Sequence, residues 1–204
     1  MTIKTFNINT DKTAFVRAYL PDSIAGLPFC EKRPAVLIFP GGGYEYCSDR
    51  EGEPIALQYL ALGYAAFVVT YSCNERFPEP LMDAAYIFYK IRMRAEEFKI
   101  DPQKMAVLGC SAGGHLAGCL ATMWSDIALT KTIGCEPEDL RPNAAILCYP
   151  VISGVTAPHE GSFKVLLGEE ASRSDLSRLS LENRVTPKTP PVFIWATAND
   201  DCVS

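Results

Sequence analysis

Residues 104–124 read KMAVLGCSAGGHLAGCLATMW. The run Met105–Leu108 has the length and continuous apolar character of a strand covered on both faces. The stretch Ala112–Trp124 is apolar almost all round and predicts a buried helix. Between them stands Gly109-Cys110-Ser111-Ala112-Gly113, a G-x-S-x-G motif. A serine at a strand-to-helix turn is held in a strained backbone conformation that lifts its hydroxyl above the sheet. Small residues on either side let strand and helix approach. The helix start adds unpaired N–H groups and a positive dipole end. The motif therefore predicts Ser111 as a nucleophile, with the Ala112 N–H placed to stabilise an oxyanion.

Reading outward, other strand-length apolar runs bounded by Gly and Pro occur at Ala35–Phe39, Tyr64–Tyr71, Ala144–Tyr149 and Val192–Ala196. Thr13–Leu20 alternates and predicts an antiparallel edge strand. Helical patterns fall between these runs. Glu53–Leu62 has Pro54 near its start and Gly63 just past its end, and Pro80–Phe98 carries Leu81, Ala84, Ala85, Phe88, Ile91 and Ala95 on one face. Strands alternating with helices in a 204-residue chain predict one α/β domain, a mostly parallel sheet with helices on both faces. Residues 153–190 lack strand patterns and read as a loop-rich insertion with short helices near Phe163–Leu167 and Ser174–Leu181.

A second chemical motif follows the first parallel strand. Pro40-Gly41-Gly42-Gly43-Tyr44 is the glycine-rich loop at which an α/β-hydrolase fold supplies further oxyanion donors, with proline where that motif carries histidine. Gly42 and Gly43 are expected to form the oxyanion hole with Ala112. No G-K-[ST] follows, so a phosphate-binding loop is excluded. The third element is a carboxylate after a late strand, and Asp200 and Asp201 both stand beyond Val192–Ala196 in the required order. Its role would be to orient an imidazole and stabilise it when protonated.

The bulk properties narrow the partners. A net charge of −5 argues against a nucleic-acid footprint, and 48% hydrophobic with 21% charged residues is ordinary for a globular domain. No apolar run reaches the length of a membrane span, and MTIKTFNINTDK lacks a signal's apolar core, so a cytoplasmic protein is expected. The eight cysteines form no C-x-x-C and are expected to be buried free thiols. No metal or cofactor is expected.

The stretches FPGGGYEYCSDREGEPIALQYLALGYAAFVVTYS, DPQKMAVLGCSAGGHLAG and HEGSFKVLLG resemble the acetylxylan-esterase-like α/β hydrolases, grouped with bacterial feruloyl and acetyl esterase domains. The likeness covers most of residues 34–203. It implies hydrolysis of short acyl esters, with acetylated sugars or xylan fragments as the substrate class. Members read T-A-D-D-x-V-V-P where this chain reads Thr197-Ala198-Asn199-Asp200-Asp201-Cys202-Val203-Ser204, which puts the acid on Asp200.

The base is the difficulty. His115 lies one turn into the helix after Ser111 and should point into packing. His159 precedes the acid, which breaks the expected order; with Tyr44 it is expected on the substrate side. The resemblance implies a histidine on a loop after one further strand and helix. The expectation is therefore a C-terminally truncated member lacking that strand, helix and base. Two alternatives stand beside the esterase: a non-catalytic hydrolase fold that binds without turnover, and a serine peptidase of the same fold.

Overall fold

The computed structural model describes residues 1–7, 14–23, 30 and 32–203. Seven strands form one sheet: β1 (Thr2–Asn7), β2 (Phe15–Leu20), β3 (Arg33–Phe39), β4 (Ala65–Thr70), β5 (Ile100–Cys110), β6 (Ala144–Cys148) and β7 (Val192–Trp195). Their order is β1-β2-β4-β3-β5-β6-β7. The first three strands in that order pair antiparallel and all the later pairs are parallel.

Helices cover both faces because the apolar strands alternate their side chains. Ala35, Leu37 and Phe39 of β3 face α2 (Glu79–Met93) and α4 (Ala112–Met123), while Val36 and Ile38 face α1 (Glu53–Ala61). α4 is the buried helix that its composition predicts, with every residue but Thr122 buried. The expected continuous helix over 80–98 breaks at Arg94 into α2 and a single turn, α3 (Ala95–Phe98). Two short helices, α5 (Ile127–Ile133) and α6 (Pro137–Leu140), were not legible in the apolar pattern. α5 is started by Asp126, whose side chain accepts from the N–H groups of Ala128 and Leu129. The insertion carries α7 (Glu160–Leu167) and α8 (Arg173–Leu179).

Two expectations need correction. β2 is antiparallel but not an edge strand, because β1 pairs along its outer side. β1 escaped notice since five of its six residues are exposed, which erases the alternation that marks a half-buried strand. Thr13, the first residue of the expected strand, lies outside the described residues. The thiols are also not uniformly buried. All eight cysteines are free, but Cys202 is exposed, and the sulfurs of the half-buried Cys47 and Cys73 stand 3.7 Å apart.

The parallel register decides where the chemistry sits. Phe39 pairs with Gly109, and Cys110 with Cys148, so the segments after β3, β5 and β6 all leave the sheet at one edge. α4 then passes very close to that edge. A Cβ on Gly113 would lie 2.0 Å from the Phe39 carbonyl oxygen, and one on Gly109 would lie 2.0 Å from the Gly113 carbonyl oxygen. Both atoms in these clashes belong to backbone that strand pairing and helix bonding hold. Gly113→Ala is therefore expected to destabilise the fold by about 3 kcal/mol or more, read as a lowered urea midpoint at unchanged slope.

Candidate active site

Ser111 occupies the turn between β5 and α4 with φ +52° and ψ −120°, in a region that non-glycine residues rarely adopt. The turn is braced on both sides. Its N–H donates to the Cys148 carbonyl at 3.0 Å, and its carbonyl accepts from the N–H groups of His115 and Val151, each at 3.1 Å. The side chain is half-buried.

The glycine loop lies directly beside it: a Cβ on Gly41 would be 2.9 Å from the Ser111 Cβ. The carbonyls of this loop are tied back. That of Pro40 accepts from the Tyr71 hydroxyl at 2.7 Å, that of Gly41 from Ser48 N–H at 2.9 Å, and that of Gly42 from Glu45 N–H at 3.0 Å. Gly41 N–H donates to the Glu51 carboxylate at 2.7 Å. Among the described residues, the N–H groups of Gly42, Gly43 and Ala112 have no hydrogen-bond acceptor. These are the three donors that the sequence motifs single out. Gly42 and Gly43 adopt φ of +125° and +65°, which favour glycine.

Asp200 emerges at the same edge, in the loop after β7. Since β7 pairs with β6 and β6 with β5, the strand that this loop follows lies two strands from the one that ends at the Ser111 turn. Its Oδ1 accepts from the N–H groups of Val203 at 2.8 Å and Cys202 at 2.9 Å. Those two bonds, Val203 first, hold the carboxyl below the usual aspartate range.

Neither histidine is aimed between Ser111 and Asp200. His115 is buried in α4. Its Nε2 lies 2.8 Å from the Leu179 carbonyl, which can only accept, so Nε2 carries the proton and Nδ1 accepts from the Tyr44 hydroxyl at 2.7 Å. This also corrects the expectation for Tyr44. The side chain is 1% exposed and its hydroxyl turns inward onto His115, so it does not face a substrate. Burial raises the Tyr44 hydroxyl's pKa well above its usual value and keeps it a donor. His159 caps α7: its Nδ1 accepts from Ser162 N–H at 3.2 Å and pairs with the Ser162 hydroxyl at 2.9 Å. It lines a cleft of about 360 Å³ with Val151, Ile152, Ser153, Glu182 and Val203. A larger cleft of about 610 Å³ lies on the α1 side and meets the glycine loop only at Pro40. Chemistry rather than volume locates the candidate site. The described residues gather no group of three or more His, Cys, Asp or Glu suited to a metal ion. No helix among them is long and apolar enough to cross a membrane.

Two residues of this region were missed in the sequence. Glu51 and Tyr149 meet across it, the Tyr149 hydroxyl donating to Glu51 Oε1 at 2.9 Å. They are 98 residues apart, and no local pattern links them. The only available signal was the position of Tyr149, directly after the end of a parallel strand.

Sheet order, strained turn and glycine loop together define an α/β hydrolase. Comparison with known proteins agrees. The structure is similar to the acetyl ester-xyloside bifunctional hydrolase of Caldicellulosiruptor lactoaceticus, at TM-score 0.82 and 35% identity over 97% of this chain and 71% of that one. It is similar also to a carboxylesterase of Lactobacillus plantarum, at TM-score 0.82 and 27% identity, covering all of this chain and 74% of that one. Residues 27–204 match BD-FAE, and the chain belongs to that family of acetylxylan-esterase-like α/β hydrolases. Among curated relatives it is 37% identical to endo-1,4-beta-xylanase B of Butyrivibrio fibrisolvens over 84% of its length, and 32% identical to an acetylxylan esterase of Xylanibacter ruminicola over 97%. It spans only 28% and 38% of those two proteins.

The buried His115 makes a testable contribution to stability. Burial lowers its pKa from 6.5 to about 4, only partly offset by the Leu179 carbonyl and the charge of Glu182. Between those values the unfolded chain binds the proton more readily. The neutral histidine's contribution is therefore complete above pH 6.5, falls as pH drops through the window, and levels off below 4. The loss is on the order of 3 kcal/mol. Urea unfolding at successive pH values checks it, with His115→Gln expected to give the flatter profile.

Proposed function

We propose that the chain carries the nucleophile and oxyanion site of a serine carboxylic ester hydrolase that removes short acyl groups, acetyl above all, from acetylated saccharides such as xylan fragments. The observation that carries this reading is the strained Ser111 turn with the glycine loop against it, a Cβ on Gly41 falling 2.9 Å from the Ser111 Cβ, beside three backbone N–H groups, of Gly42, Gly43 and Ala112, that have no acceptor among the described residues. Ser111 Oγ would attack the ester carbonyl as a base takes its proton, and the tetrahedral oxyanion would settle among those donors. Proton return to the leaving alcohol would release it and leave an acyl-enzyme. Water would then attack the acyl group by the same route and restore Ser111.

Asp200 is the acid of this reading rather than Asp201, because two backbone N–H groups orient its carboxylate. β5 and β7 stand two strand spacings apart, about 10 Å, and the imidazole of this reading bridges the loops that follow them. The base is proposed to be a histidine on a further segment packed along β7, whose Val192, Phe193, Ile194 and Trp195 are 41–62% exposed. His159 is assigned a substrate-side place through its cleft. The similarity to an acetylxylan esterase and to an acetyl ester-xyloside hydrolase supports an acetylated saccharide as substrate.

The test is turnover of p-nitrophenyl acetate by the 204-residue chain, by a form extended through its downstream coding sequence, and by Ser111→Ala in each. The extended form is expected to be at least about a thousandfold more active than its Ser111→Ala variant. The 204-residue chain should retain only weak, Ser111-dependent turnover. Equal rates with and without the Ser111→Ala substitution would overturn the nucleophile assignment.

A further inference from the structure

The Glu51 side chain has no part in the chemistry just described, yet it bonds to two separate supports of the site, the glycine loop and the segment after β6. It ends a short 3-10 turn, Asp49–Glu51, immediately before α1. Oε2 accepts from Gly41 N–H at 2.7 Å and Oε1 from the Tyr149 hydroxyl at 2.9 Å. One point in space, the place of a Cβ on Gly41, is 2.7 Å from Glu51 Oε2, 2.8 Å from the Cys110 carbonyl oxygen and 2.9 Å from Ser111 Cβ. The carboxylate therefore lies within about two contact distances of the serine, separated from it only by a glycine backbone.

We propose that Glu51 is a positioning residue that sets the aim of the oxyanion loop and locks it to the serine turn; this rests on the reading of Ser111 as nucleophile. Gly41 is gripped at both ends, its N–H by Glu51 and its carbonyl by Ser48 N–H at 2.9 Å. With both peptide planes fixed, the next two N–H groups, of Gly42 and Gly43, have no acceptor among the described residues and are the donors that this reading gives to the oxyanion. The same grip commits Gly41 N–H, so it does not serve as an oxyanion donor.

The second carboxylate oxygen reaches the other support. Tyr149 follows β6 with φ +35°, its N–H donates to the Trp195 carbonyl at 2.6 Å, and its ring packs edge-on against Trp195 at 5.3 Å. The residue before it, Cys148, supplies the carbonyl that accepts from Ser111 N–H. One side chain thus joins the loop after β3 to the segment after β6, whose Cys148 carbonyl holds the serine turn. A bare carboxylate so near a developing oxyanion would oppose it. Two donors absorb that charge here, and a neutral acceptor in the same place would do the positioning equally well.

The test compares Glu51→Ala and Glu51→Gln with wild type. Amide hydrogen exchange on the 204-residue chain reads the grip directly. Gly41 N–H is expected to exchange at least about tenfold faster in Glu51→Ala and near the wild-type rate in Glu51→Gln, with the amides of β5 protected in all three. In whichever form shows Ser111-dependent hydrolysis of p-nitrophenyl acetate, Glu51→Ala should lower kcat about ten- to a hundredfold with KM within about twofold. Glu51→Gln should recover most of that loss. Wild-type kcat or unchanged Gly41 exchange in Glu51→Ala overturns the proposal. So does loss of protection throughout β5, which would mean a role in folding alone. If no form shows Ser111-dependent turnover, the nucleophile reading fails instead, and Gly41 exchange alone decides whether Glu51 holds the loop.

Discussion

The approach of α4 to the ends of β3 and β5 is the constraint on which the site depends. Gly113 rests against the carbonyls of Phe39 and Pro40, and Gly109 against the carbonyl of Gly113, at distances no side chain could share. That contact forces the chain to reverse within one residue between strand and helix. Ser111 takes up the reversal with a positive φ. Such a conformation costs of order 1–3 kcal/mol. It is maintained by the three backbone hydrogen bonds through Ser111 to Cys148, His115 and Val151. The strained turn, the half-buried serine and the Ala112 N–H without an acceptor among the described residues are one structural consequence of two glycines.

A second layer of support surrounds this turn, and it is made of polar groups with fixed partners. The glycine loop turns its carbonyls to Tyr71, Ser48 and Glu45 and leaves the N–H groups of Gly42 and Gly43 unpaired. Tyr44, inside that loop, sends its hydroxyl to His115, which in turn donates to the end of α8 in the insertion. The insertion is thereby tied through a buried histidine to the loop beside Ser111. His115, which the sequence expects to point into packing, is a bridge between two loops, neutral because burial disfavours its charged form.

The sheet's other side shows the reverse situation. Along β7 all four apolar side chains remain exposed, although β6 pairs with it on one side. An apolar strand with an open edge exposes unpaired backbone groups and side chains suited to further packing. The acid candidate Asp200 lies in the loop after this strand, in the part of the described site least supported by packing.

The elements with strong local signatures were legible in the sequence. Five parallel strands appeared as apolar runs and α4 as an apolar helix, and chain order marked Ser111, Gly42, Gly43 and the pair Asp200 and Asp201 as candidate site positions. Each depends on neighbours within a few residues, where periodicity, glycine placement and chain order carry the information. What tertiary structure alone decided has partners far away in the chain. β1 is a strand because β2 pairs with it, despite its exposed side chains. Tyr44 points inward because His115, 71 residues on, accepts its hydroxyl. Glu51 matters because folding brings Gly41 and Tyr149 to its two oxygens. A sequence pattern records which residues share a face of one element. Only the packed sheet determines which groups meet at its edge, since that depends on strand order and register rather than on any local run.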